Sequence, residues 1–142
     1  MVVKATRIFL EASHELLRLG YAVRFRAGGQ SMHPTIKDGE MITVEPVTPG
    51  DVKRGDILLY EFKKSVIAHR VMRVERKAAQ LRFILRGDSS QTCDAPVEAS
   101  EILGRVISVE RKGRAVSLVS KRAKLLRITR VRASRYKARL MR

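Results

Sequence analysis

The chain has a single cysteine, Cys93, among its 142 residues. One thiol excludes an internal disulfide, gives no zinc-type ligand spacing, and suits a reducing compartment. No run approaches the roughly 18 uninterrupted apolar residues that a membrane span needs. The amino end carries charges throughout and lacks the apolar core of a signal peptide, so an unexported, cytoplasmic chain is expected. There is no internal repeat. Acidic residues stop at Glu110, and beyond it lie 13 of the 30 Lys and Arg. Residues 1–110 hold 17 basic against 14 acidic side chains, so of the formal charge of +16 they carry only +3. The basic end is suited to phosphates of nucleic acid or to an anionic membrane surface, which would make the protein peripheral at the membrane.

What is present divides into three parts. Over residues 3–19, Ala5, Ile8, Phe9, Ala12, Leu16 and Leu19 recur at steps of three and four. Lys4, Arg7, Glu11, Glu15 and Arg18 take the other side. This predicts an amphipathic helix within residues 1–20, stopped by Gly20 and packed on the domain or lying on a membrane or partner surface. Residues 21–120 change to short strands and turns. Tyr21–Arg26, Met41–Glu45, Asp56–Glu61, Ser65–Glu75, Gln80–Arg86 and Ile102–Glu110 read as strands, and Arg114–Val119 closes a hairpin through Lys112-Gly113. Many brief strands with regular turn signals predict a mainly β, barrel-like folded sheet. Residues 121–142 hold ten Lys or Arg interleaved with apolar residues. With no acid to pair against, this tail is expected to become helical only when something anionic neutralises it.

Within this frame Gly29-Gln30-Ser31-Met32-His33-Pro34-Thr35 puts a serine on a turn. Gly28 and Gly29 relax the backbone before it, and Pro34 forbids helix directly after it. A serine so placed can offer both a free hydroxyl and its own backbone N–H, which a nucleophile and its oxyanion require. Of the three histidines, His14 is incidental to the helix. His33 is too near Ser31 in sequence to meet it as a base. His69, in the strand-like run Val66–Val74, is the candidate base. Asp88 and Asp94 lie in the loop after Gly87, and either could orient an imidazole; the residues alone leave that choice open.

The ordered boxes Ser31-Met32-x-Pro34-Thr35, Lys53-Arg54-Gly55-Asp56-Ile57, Ala68-His69-Arg70-Val71 and Gly87-Asp88 resemble the signal peptidase I-like serine peptidases, whose fold also serves LexA-type self-cleaving repressors. The resemblance covers roughly residues 26–109. Histidine in the matching strand, where bacterial enzymes use lysine, is similar to the archaeal and endoplasmic-reticulum branch. The resemblance implies Ser31 as nucleophile, His69 as general base and Asp94 as the third residue. It implies Asp88, Gly29, Met32 and Pro34 as supporting positions, with no metal or cofactor. The chain departs from that pattern in two places. A charged amphipathic helix stands where relatives have a membrane anchor. Gly29 stands where many carry a hydroxyl that helps the oxyanion hole.

The activity so implied is a soluble or membrane-peripheral serine endopeptidase acting on a peptide or precursor protein. Its substrate is expected to lie extended along an exposed strand edge with small side chains in shallow pockets. The alternatives are a self-cleaving regulator, for which Ala27-Gly28 is the only Ala-Gly pair, or an idle relative that binds peptide, membrane or nucleic acid.

Overall fold

The computed structural model describes residues 1–3 and 6–119. The expectations for Lys4, Ala5 and the basic tail 121–142 lie outside the described residues. In chain order the elements are β1 (Val2–Val3), α1 (Arg7–Arg18), β2 (Val23–Gly28), β3 (Met41–Glu45) and β4 (Ile57–Phe62). They continue with β5 (Ser65–Lys77), β6 (Gln80–Arg86), β7 (Val97–Glu98), β8 (Ile102–Arg111) and β9 (Arg114–Ser117).

The protein is mostly β. Strands run in the order β1-β2-β3-β8-β4-β5, and β1 pairs back onto β5, closing an antiparallel barrel of six strands. Beyond β5 the sheet continues into β6 and β7, while β9 lies along the end of β8. The hairpin between β4 and β5 turns on Lys63 and Lys64, both at positive φ as a tight two-residue loop demands.

Alternation along the strands decides what is buried. In β2, Val23, Phe25 and Ala27 face inward while Arg24 and Arg26 face out. The apolar run Ile57-Leu58-Leu59-Tyr60 is buried on both sides, because β4 is shared between two cores. Ile57 and Leu59 join the barrel interior with Phe25, Ile42, Val44, Ala68 and Val106. Leu58 and Tyr60 join a second cluster with Val71, Phe83, Leu85 and Val97.

The amino end departs from expectation twice. The helix begins at Arg7, with the Thr6 hydroxyl accepting from the Phe9 N–H at 3.3 Å, and residues 2–3 before it form a strand. Most of the face expected to pack is also turned outward, although Phe9 meets the buried Phe25 edge-on with ring centroids 5.8 Å apart. Ile8 is 81 % exposed and Leu19 57 %, with Phe9 and Leu16 nearly half exposed, while Ser13 and Leu17 are buried and Leu10 packs on the core. Periodicity locates an apolar stripe but not the neighbour it meets. At its far end the helix closes on paired bonds, Gly20 N–H to the Leu17 carbonyl and Tyr21 N–H to the Leu16 carbonyl, as the expected stop requires. Among the described residues no helix is long and apolar enough to cross a membrane.

Candidate active site

Ser31 lies on the turn that follows β2, its hydroxyl part-buried. Gly29, two residues before, has φ +93°, a conformation that penalises any side chain. That conformation accounts for glycine at the position where the resemblance leads one to expect a hydroxyl residue. Its N–H donates to Asp38 Oδ1 at 2.9 Å, closing the loop that carries the serine. Met32 is wholly buried beneath the turn, and Pro34 is exposed on it.

His69 comes from β5, on the side of that strand facing the second cluster, and is only 8 % exposed. Its register is set by pairing with Leu58 of β4. The Lys53–Ile57 segment buttresses the same strand: Gly55 N–H donates to the Val71 carbonyl at 2.8 Å, and Val71 N–H to the Asp56 carbonyl at 2.7 Å. Nε2 of His69 lies 3.0 Å from Ser31 Oγ, and Nδ1 lies 2.5 Å from Asp94 Oδ2. The same carboxylate oxygen accepts from the Tyr60 hydroxyl at 2.8 Å. Burial first, then the bond to Asp94 and its charge, hold the Tyr60 phenol protonated well above its ordinary range. Tyr60 is therefore a standing donor to Asp94.

The structure thus brings Ser31, His69 and Asp94 into one hydrogen-bonded line and gives Asp88 a different place. Asp88 accepts from Arg70 through Nε at 2.7 Å and Nη2 at 2.8 Å, and from the Thr35 hydroxyl at 2.6 Å. Its N–H points at Met32 Sδ at 3.4 Å. Next to it, Ser89 N–H donates to the Ser31 carbonyl at 2.9 Å, and the Ser89 hydroxyl to the Gln30 carbonyl at 2.6 Å. The loop after β6 is therefore stitched to the serine turn, while Arg70, beside His69, holds that loop through Asp88 and donates to the Gly55 carbonyl at 2.9 Å. His33 and His14 are exposed and outside the line.

Burial alone would raise the Asp88 carboxyl, but the bonds from Arg70 and Thr35, helped by the charges of Arg70 and Arg86, outweigh it and hold it below its ordinary value. A carboxyl depressed on folding contributes stability that is present above its unfolded pKa and is lost as pH falls through the folded one. Wild type should therefore lose urea resistance on acidification below about pH 4, where ordinary carboxyls begin to titrate. An Asp88→Asn variant, already weaker at neutral pH by about 1–3 kcal/mol, should lose less over the same range. Parallel slopes in the two proteins would dismiss this role.

Gly87 permits the close approach of the two loops. A Cβ there would sit 2.7 Å from the Ser31 carbonyl oxygen, 2.8 Å from Ser90 Oγ and 3.1 Å from His69 Nε2. The first contact is backbone, so the turn itself must give way. Gly87→Ala is expected to slow any reaction at Ser31 by about 10²-fold, the usual result of displacing reacting groups by about 1 Å. Turnover of a peptide by the variant, with thermal unfolding as control, checks this.

Two participants escaped the sequence. Tyr60 is the polar tip of an apolar strand run, a signal that asks for a partner. Met1 gave none: its amino nitrogen contacts Ser31 Oγ and lies 3.2 Å from His69 Nε2. Burial lowers the pKa of that amine below its ordinary 8.0, against the opposing charge of Asp94.

An alcohol, an imidazole and a carboxylate in hydrogen-bonded sequence, on the rim of a closed β barrel, form the constellation used by serine hydrolases. The chain belongs to the Peptidase S24-like family, whose sequence model matches residues 8–107. That family includes signal peptidases and LexA-type self-cleaving repressors. No curated protein matches the chain.

Proposed function

We propose that the protein is a serine endopeptidase of the histidine-base type found in archaeal and endoplasmic-reticulum signal peptidases. The observation that carries this reading is the unbroken line from Ser31 Oγ through both nitrogens of His69 to Asp94 Oδ2. Ser31 Oγ bonds to the carbonyl carbon of the substrate as its proton passes to Nε2 of His69. Asp94 holds the imidazole with its Nδ1 proton toward the carboxylate and supports the positive charge that develops. The C–N bond then breaks, and Nε2 returns the proton to the departing amine. Water, deprotonated by the same nitrogen, hydrolyses the ester and frees Ser31. The Ser31 backbone N–H serves the oxyanion, because positive φ at Gly29 disfavours a side-chain donor there.

A self-cleaving regulator is not favoured. Ala27 is wholly buried in β2, its N–H donates to the Glu40 carbonyl at 2.8 Å and its carbonyl accepts from the Gly39 N–H at 2.8 Å, so the one Ala-Gly bond is held in the barrel wall. A fluorophosphonate probe should form one adduct with the native chain, located at Ser31 by peptide mass spectrometry. Absence of the adduct at neutral to alkaline pH, or an adduct elsewhere, would count against the reading.

A further inference from the structure

Strand β1 stands between β2 and β5 and runs antiparallel to both. Val2 pairs with Gly28 on one side and Ile67 on the other, and Val3 pairs with Ala27. The Ala68 N–H donates to the Met1 carbonyl at 3.3 Å. The side chains alternate: Met1 and Val3 are each 5 % exposed and join the barrel core, whereas Val2 is 48 % exposed. The Met1 nitrogen is placed against both Ser31 Oγ and His69 Nε2. In acyl transfer, the atom that occupies this position is the nitrogen of the bond being cut, as it takes its proton from the base. The ladder register agrees. One step before Met1, a residue would stand opposite Gln30 on the β2 side and His69 on the β5 side, with its carbonyl carbon beside Ser31.

We propose that the slot between β2 and β5 is the binding site for the part of the substrate that follows the cut, and that residues 1–3 occupy it in the substrate's place. This rests on Ser31 and His69 acting as assigned above. The substrate enters as a strand antiparallel to both walls, taking up the backbone groups that β2 and β5 would otherwise leave unpaired. Selectivity follows from the alternation. The first residue after the cut lies where Met1 lies and is long and apolar. The third takes the place of Val3 and is also apolar. The second points outward and is unrestricted. Substrate and residues 1–3 exclude one another, so cleavage requires β1 to leave.

Binding can be read without catalysis in a Ser31→Ala background, using the labelled peptide acetyl-Ala-Ala-Ala-Met-Val-Val-amide. A chain lacking residues 1–3 should bind it about ten-fold or more tightly than the full chain, because a tethered competitor acts at high effective concentration. Aspartate at the first or third position after the cut should weaken binding about ten- to a hundred-fold, and at the second by less than about two-fold. Equal binding of the three aspartate peptides overturns the proposal. The shortened barrel can fail to fold, so a second variant is needed. Val2→Cys with Ile67→Cys, in a Cys93→Ser background, joins directly paired residues. Oxidation should abolish peptide binding and, with Ser31 intact, probe labelling; reduction should restore both. Undiminished binding by the oxidised chain sinks the proposal. A chain labelled at Ser31 whose slot shows no such preference refutes this inference alone, whereas an unlabelled Ser31 in the reduced chain refutes the assignment beneath it.

Discussion

Ser31→Ala is expected to lower peptide cleavage by about 10⁶-fold, with His69→Ala costing nearly as much and the double variant no more than either. The reason for non-additivity lies in the single bond of 3.0 Å between them. An imidazole with no alcohol to deprotonate has nothing to activate, and an alcohol without its base is a poor nucleophile at neutral pH. Both variants should keep the fold. Ser31 lies on a turn at the barrel rim, and loss of one side chain leaves the ladder partners of His69, Leu58 above all, in place. Chromatographic assay of a cleaved peptide, alongside circular dichroism, makes the comparison. Cleavage that survives either substitution within about ten-fold would falsify the assignment, since a triad member's removal costs far more.

Asp94→Asn carries the second large effect, a fall of about 10³–10⁴-fold in kcat with KM little changed. Oδ2 of Asp94 accepts from His69 Nδ1 at 2.5 Å and from Tyr60 at 2.8 Å. An amide is nearly the same shape but uncharged. If its oxygen stays on Oδ2's position, both bonds survive and only the support for the imidazolium is lost. If it turns, its NH₂ meets Nδ1 and imposes the wrong tautomer. The protonated Tyr60 favours the first outcome, so the variant should remain folded and bind substrate normally. Comparison with Asp88→Asn separates the two carboxylates, since Asp88 faces Arg70 and Thr35 rather than the imidazole. Equal losses in kcat from the two would mean that Asp94 only holds the loop.

Much of the barrel is legible from alternation and turn residues. The expected strands coincide closely with β2–β6, β8 and β9. The first six each bury one or both faces between turn residues, whereas β9 is exposed throughout and was marked by the Lys112-Gly113 turn that folds it back on β8. The serine turn and the histidine strand were likewise readable. Which carboxylate meets His69 was not readable from the loop itself. Asp88 and Asp94 are equally good turn-formers, and what separates them is tertiary: Asp94 N–H bonds to the Leu85 carbonyl at 2.8 Å, while Arg70 captures Asp88. Resemblance alone chose between them. The amino end was misread because a two-residue strand has no period to detect, and a helical stripe does not say which side meets the core. Thr6, a good cap residue, was the one local sign of a helix starting at Arg7.

Leu58 and Leu59 are neighbours on β4, yet each is wholly buried in a different cluster. A strand that is a shared wall leaves neither compartment able to melt by itself: loosening one side withdraws support from the other. The two halves should therefore be lost together, in a single cooperative transition. His69 hangs on the partner of that wall, with Ser31 on the rim of one compartment and Asp94 bonded to Tyr60 of the other. The hydrogen-bonded line from Ser31 through His69 to Asp94 bridges the two, and it survives only while both remain intact.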